Sequence, residues 1–296
     1  MPAIKQTTNY TGYPMQAIDC EFDIDGFRLR GKRWGRRDGL PVLALHGWLD
    51  NCASFDFLAP LLPQLDLLCL DLAGQGLSDH RNHRGAYNIW QDVGEVFALA
   101  DQLGWQEFGL LGHSRGAAIA MLAAGTFPER VSHLAMLDGI CPQVDPPENA
   151  PLTLAKSIVS LNQQVPRAKR YYSSFEDAVK ARENGMLALS HTDARILAER
   201  GVGLNSEGYS WLYDSKLLAG SELRLSLPQV EAFVARIQAP MLLILAENSF
   251  MQDLQELQTW LRRHSEIPQI RVPGDHHCHM SGQAQRIARE LNHFLA

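Results

Sequence analysis

The sequence predicts an α/β fold: a mostly parallel, eight-stranded sheet flanked by helices, with an all-helical insertion before the last two strands. Three observations lead there. Short apolar runs alternate with helical patterns along most of the chain, an Asp-Gly pair joins two alternating segments near its start, and no strand signal is present between Asp138 and Pro240. Repeated strand-then-helix alternation is how βαβ units and a parallel sheet read in a sequence.

The first two strands are Ala17 to Asp25 and Phe27 to Trp34, which flank Asp25-Gly26. An Asp-Gly pair supplies the positive-φ positions of a tight hairpin turn, so the chain opens with an antiparallel ribbon. The remaining strands are Pro41 to Leu45, Leu65 to Leu70, Glu107 to Leu111, Leu134 to Leu137, Met241 to Ala246 and Gln269 to Val272. Residues 139–239 are polar and helix-prone, with Pro142, Pro146, Pro147, Pro151 and Pro166 near their start. This pattern divides the chain into a core domain, residues 1–138 and 240–296, and a helical domain, residues 139–239. In the last stretch, Gln283 to Leu295, the apolar residues Ile287, Ala288, Leu291 and Leu295 share one helical face, which is expected to pack on the sheet.

Composition narrows the function classes. With 46% hydrophobic and 20% charged residues, the chain reads as a folded globular protein. A net charge of −6 and a pI near 6.0 argue against a nucleic-acid partner or an anionic membrane surface. The start, MPAIKQTTNY, lacks the apolar stretch of a secretory signal, and no run approaches the ~18 apolar residues of a membrane span. A cytoplasmic location is the expectation. The five cysteines, Cys20, Cys52, Cys69, Cys141 and Cys278, show no CxxC spacing and are read as reduced thiols.

The strongest chemical signal is Gly112-His113-Ser114-Arg115-Gly116, after the apolar run Phe108 to Leu111 and before the helix-forming run from Ala117 to Ala124. In a G-x-S-x-G turn between strand and helix, the serine backbone is strained and a side chain two positions either side collides with a neighbouring element. The strain exposes the hydroxyl, and the helix N-terminus offers free amides and a positive end.

With three further segments, these residues resemble the α/β-hydrolase superfamily over nearly the whole chain from about Gln16. Leu45-His46-Gly47-Trp48 resembles the family's oxyanion loop, Asp71-Leu72-Ala73-Gly74-Gln75-Gly76-Leu77-Ser78 its turn after the fourth strand, and Gly274-Asp275-His276-His277-Cys278-His279 its histidine loop. Order and spacing match. The motif set is similar to that of the serine-hydrolase-like proteins and small-molecule esterases of this superfamily.

The resemblance implies Ser114 as nucleophile and His276 as general base, with His277 the alternative, and His279 as the family's frequent second histidine. It places the oxyanion on the backbone amides of Trp48 and Arg115, each contributing about 2.7–4 kcal/mol of transition-state stabilisation. The Asp71 turn is read as structural: its glycines permit a tight turn and the aspartate caps it. Three histidines in one loop also invite a metal, but their spacing gives that reading little support, and the resemblance calls for no metal or organic cofactor.

The acid departs from the commoner pattern. Where many relatives carry an aspartate after the seventh strand, this sequence reads Ala246-Glu247-Asn248-Ser249. Other relatives carry the acid at the end of the sixth strand, and Asp138 stands there; Glu247 and Asp253 are the alternatives. Whichever carboxylate serves must hold the second imidazole nitrogen and stabilise the imidazolium.

The implied reaction is hydrolysis of a small-molecule carboxylic ester, thioester or lactone through an acyl-enzyme, and the implied partner is a small acyl substrate. A serine at the elbow excludes the alkyl-enzyme chemistry of dehalogenases and epoxide hydrolases, which needs a carboxylate nucleophile. Carbon–carbon bond hydrolysis or acyl transfer on the same residues, and a ligand-binding receptor on the same fold, stay open. The insertion resembles a cap, with Tyr171, Tyr172, Phe175, Tyr209, Trp211, Tyr213 and Phe233 as candidate pocket residues. The Arg115 side chain is read either as a ligand for a substrate carboxylate or as an ion-pair partner for an acid of the insertion such as Glu148.

Overall fold

The computed structural model describes residues 17–82, 85–164 and 169–296. Pro166 and the residues up to Gln16 lie outside them. Eight strands form one sheet: β1 (Ile18–Ile24), β2 (Phe27–Gly35), β3 (Leu40–Leu45), β4 (Leu65–Asp71), β5 (Phe108–His113), β6 (Val131–Leu137), β9 (Met241–Ala246) and β10 (Gln269–Val272). Their order is β1-β2-β4-β3-β5-β6-β9-β10. The pairs β1–β2 and β2–β4 are antiparallel and the remaining pairs are parallel. All eight sequence-predicted strands are present, within a few residues at their ends.

Period-2 alternation divides the strand side chains between two apolar layers. From β3, Leu43 and Leu45 face the layer shared with α1 (Ile89–Gln102) and α2 (Arg115–Thr126). Val42 and Ala44 face the layer that holds Ile287, Ala288 and Leu291 of α8 (Ala284–Phe294) and, just beyond it, Leu295. Strands covered on both faces need no polar alternation, which is why β4, Leu-Asp-Leu-Leu-Cys-Leu-Asp, is buried throughout. Leu291 is fully buried, so truncating it to alanine would cost about 2–5 kcal/mol.

Between β6 and β9 lie α3 (Ala150–Gln164), α4 (Phe175–Glu183), α5 (His191–Gly201), β7 (Val202–Asn205), β8 (Gly208–Trp211) and α6 (Leu227–Val234). Helices α4 and α5 start where Ser174 and Ser190 accept hydrogen bonds from the Asp177 and Asp193 amides, satisfying first-turn donors. The expectation of an all-helical insertion needs correcting, because β7 and β8 form an antiparallel hairpin. These strands are four residues each and carry too few alternations to register, and Gly208, at φ 126°, takes the turn. Val179, Leu197, Ala198 and Trp211 form a small core with Met280 from the loop after β10. Val230 and Val234 of α6 belong instead to the main core beside α2, where Gly125 leaves no room for a β-carbon: one would lie 2.5 Å from the Phe233 carbonyl oxygen.

Polar contacts hold the insertion over the C-terminal ends of the strands. Arg200 reaches both Asp71 and Asp19 at 2.8 Å, the Asn51 amide nitrogen donates to the Leu197 carbonyl at 2.9 Å, and Arg182 pairs with Asp50 at 2.7 Å. Asp71 caps its turn as expected, accepting from the Leu77 amide, and accepts from the Cys52 amide as well. Among the described residues, no helix is long and apolar enough to cross a membrane.

Candidate active site

Strand β5 runs into α2 through Ser114, whose φ of 52° and ψ of −114° lie where an L-residue is strained. The flanking glycines explain how the turn closes. A β-carbon on Gly116 would lie 2.0 Å from the Leu45 carbonyl oxygen, and one on Gly112 would lie 2.4 Å from the Ala117 Cα. A third glycine, Gly139, faces the serine from the end of β6; its β-carbon would lie 2.6 Å from the Ser114 Cα.

Around Ser114 the structure assembles a continuous chain of hydrogen bonds. The Ser114 hydroxyl lies 2.8 Å from His276 Nε2, and His276 Nδ1 lies 2.6 Å from Asp138 Oδ2. His276 is buried and Asp138 fully so, while Ser114 is partly exposed. Asp138 has a φ of 41°, a second strained backbone at the site. Its carboxylate also accepts from the Ala246 amide at 2.9 Å and from the Ser249 hydroxyl. Ser249, at the position where many relatives carry an aspartate, thus donates to the Asp138 carboxylate. Glu247 and Asp253 are exposed. Phe250 sets its ring edge-on to His276, with centroids 4.8 Å apart.

The oxyanion loop is shaped by His46. Its Nε2 accepts from the Leu72 amide at 3.0 Å, so Nδ1 carries the proton and donates to the Gly47 carbonyl at 2.7 Å. Burial keeps this imidazole below its ordinary pKa, in line with that neutral tautomer. The Trp48 indole donates to the Leu217 carbonyl at 3.0 Å. Arg115 is the first residue of α2, where amides have no intrahelical acceptor. Among the described residues, neither the Trp48 nor the Arg115 amide donates to a protein acceptor.

The Arg115 side chain corrects one expectation. It points to α1, pairing with buried Asp92 at 2.6 Å and donating to the Tyr87 carbonyl, and Glu148 is not its partner. The loop histidines diverge. His277 Nε2 lies 3.2 Å from Asp50 Oδ2, while buried His279 packs its ring on His113, centroids 4.1 Å apart, with neither nitrogen hydrogen-bonded. Burial pushes the His279 pKa down to about 3. His276, His277 and His279 therefore do not converge on one point. Burial drives Cys278 up to about 12 and raises Cys52, which removes both as nucleophiles.

A cavity of about 200 Å³ opens between the oxyanion loop and the insertion. Trp48, Leu49, Tyr172, Trp211, Tyr213 and Leu218 are among its lining residues. Of the aromatic residues singled out in the insertion, Tyr172, Trp211 and Tyr213 reach it; Phe175 packs on Tyr209, and Phe233 lines a separate groove beside α1 and α2.

A family model for the alpha/beta hydrolase fold matches residues 41–282. The chain is 28% identical over 310 residues to a serine hydrolase-like protein of Danio rerio, covering 100% of this chain and 94% of that one. It is 30% identical over 288 residues to serine hydrolase-like protein 2 of Homo sapiens, covering 90% of each. Among solved structures, a hypothetical protein from Pseudomonas aeruginosa PAO1 superposes with a TM-score of 0.90 at 36% identity, covering 93% of this chain and 98% of the other. The thioesterase domain from the curacin biosynthetic pathway shares the fold, with a TM-score of 0.82 at 21% identity over 94% of this chain and 99% of that one.

Proposed function

The chain belongs to the α/β-hydrolase fold family, and from that premise we propose that it is a serine hydrolase cleaving a small carboxylic ester, thioester or lactone through an acyl-enzyme on Ser114. The observation that carries this reading is the unbroken path from Ser114 through His276 to Asp138.

Asp138 accepts the Nδ1 proton and so fixes the tautomer that leaves Nε2 free to receive the Ser114 proton. Its other partners, the Ala246 amide and the Ser249 hydroxyl, are neutral donors, so its negative charge stays available to an imidazolium on His276. As Oγ bonds to the acyl carbon, the proton passes to Nε2 and the carbonyl electron pair moves to oxygen. The Trp48 and Arg115 amides and the α2 N-terminus receive the resulting negative charge. His276 then gives its proton to the leaving oxygen or sulfur. Water, deprotonated by the same nitrogen, releases the acid and restores Ser114.

The insertion acts as a cap in this account, and the cavity beside Trp48 takes the substrate's apolar part. Ser114 and His276 are not among its lining residues, so its volume of about 200 Å³ bounds only the part of the substrate seated there. The test is a fluorophosphonate probe followed by intact-mass measurement, together with turnover of p-nitrophenyl esters of graded length. The reading predicts one adduct on wild type, none on Ser114→Ala, and saturable turnover that falls off with chain length. An unmodified wild-type chain that turns over no ester would contradict it.

A further inference from the structure

Beside the Ser114–His276 pair lies a second cluster of buried groups that the proposed reaction does not use. Asp50 follows the oxyanion loop, His113 ends β5, and His277 lies in the loop after β10. All three are buried, and one ligand atom from each can be chosen so that the three lie within 4.8 Å of one another. Asp50 Oδ2 is 3.2 Å from His277 Nε2 and 3.9 Å from His113 Nδ1.

The proton positions make this arrangement unusual. His113 Nε2 lies 2.9 Å from the His276 carbonyl oxygen, which can only accept, so Nε2 carries the proton. In the neutral ring Nδ1 then presents a lone pair. That lone pair has no hydrogen-bond partner and faces a carboxylate oxygen, at a distance too long for a hydrogen bond. Arg182 is paired with the other oxygen, Oδ1, and Oδ2 has His277 Nε2 at 3.2 Å, so the two acceptors Oδ2 and His113 Nδ1 lie side by side with no hydrogen bond between them. The backbone beside them is bare: a β-carbon on Gly47 would lie 2.9 Å from His113 Nδ1 and 3.0 Å from Asp50 Oδ2.

We propose that Asp50, His113 and His277 form a binding site for a divalent transition-metal cation of the zinc type, independent of the hydrolase reaction. One carboxylate and two imidazoles are ligands that zinc accepts. Bonds of ~2.0–2.1 Å in a tetrahedral ion set its ligand atoms roughly 3.3 Å apart; the Asp50–His277 edge of 3.2 Å matches that, and the Asp50–His113 edge of 3.9 Å has to shorten as the ion binds. Outer-shell partners are in place as well. The His276 carbonyl fixes the His113 tautomer, and Arg182 donates to Asp50 Oδ1 at 2.7 Å, leaving Oδ2 for the cation. Ligation by His277 Nε2 moves its proton to Nδ1, which has no partner, so no net proton need leave the protein. The ion would tie two loops to the end of β5 and touch neither Ser114 nor the imidazole of His276.

The test is zinc titration of chelator-treated full-length protein by calorimetry and thermal melting, with cobalt(II) as a visible-absorption probe. The expected result is one equivalent bound, a raised Tm, and a cobalt spectrum of nitrogen and oxygen ligands. His277→Gln and His113→Gln should each weaken binding by more than about tenfold, while Ser114→Ala and His276→Ala retain it. Absence of uptake by wild type, equal uptake by His277→Gln, loss in His276→Ala, or a thiolate charge-transfer band would each overturn the proposal. Circular dichroism identifies any variant that has lost its fold; the wild-type cobalt spectrum needs no variant and decides in that case. Because none of these readouts involves turnover, failure here and failure of the hydrolase reading are distinguishable.

Discussion

Two buried carboxylates, Asp138 and Asp50, each hold an imidazole of the same loop, yet their surroundings differ. Around Asp138 the other donors are neutral, an amide and a hydroxyl, and the imidazole it holds reaches the Ser114 hydroxyl. Asp50 is paired with the Arg182 guanidinium, and the second nitrogen of its imidazole, His277 Nδ1, has no partner. Arg182 and His277 hold the Asp50 carboxyl well below the usual carboxylate range. A carboxylate whose charge is already met by a cation has little left for an imidazolium. A carboxylate supported only by dipoles can stabilise one as it forms.

Paired substitutions test this contrast most strongly. Asp138→Asn should lower kcat by about 10⁴-fold with the fold intact, because the amide imposes the wrong tautomer on His276. Asp50→Asn should do the reverse: kcat falls far less, while urea unfolding shows a loss of about 1.5–3 kcal/mol, because the partly buried Arg182 loses its charged acceptor. Equal kcat losses in the two variants would remove the distinction.

Ser249→Ala removes one hydrogen bond to a buried anion and should cost about 1.5–3 kcal/mol of stability, read from the urea midpoint. Acid adds a smaller test. The folded pKa of His279 is about 3, below its ordinary 6.5, so the unfolded chain binds the extra proton. That contribution is complete above about pH 6.5 and is lost as pH falls toward about 3, at up to about 1.4 kcal/mol per pH unit. His279→Leu should therefore show a shallower fall in stability over that window; an unchanged slope would place the titration elsewhere. Smallest of all, Glu247→Gln and Asp253→Asn, both at exposed positions, should change stability by no more than about 0.5 kcal/mol and leave kcat as it was.

The same contrast separates what the sequence shows from what it hides. Strands, elbow and histidine loop each occupy a short stretch: Gly112 is required by Ala117 in its own turn and Gly116 by the Leu45 carbonyl of neighbouring β3, yet both are read from one five-residue motif. Asp138 is legible because it ends a strand beside the one that bears Ser114. Its bond to Ser249 is not, since the two meet only when β6 and β9 pair. The Asp50, His113 and His277 cluster is hidden for the same reason, as its members come from two loops and the end of β5. Arg115 turning to Asp92 depends on how α1 packs against α2, which no local pattern records. In the insertion, Asn205-Ser206-Glu207-Gly208 before Tyr209 and Trp211 was the available hairpin signal, and it lies among residues that otherwise read as helical.

The account stands most directly on whether Ser114 carries an acyl group during turnover. Intact-mass measurement after rapid mixing with a short p-nitrophenyl ester reads this without a spectroscopic assumption. The account predicts a single acyl adduct, located by peptide mapping to Ser114, formed faster in wild type than in Asp138→Asn and absent from Ser114→Ala. An adduct that persists in Ser114→Ala, or ester turnover by that variant at the wild-type rate, would contradict it.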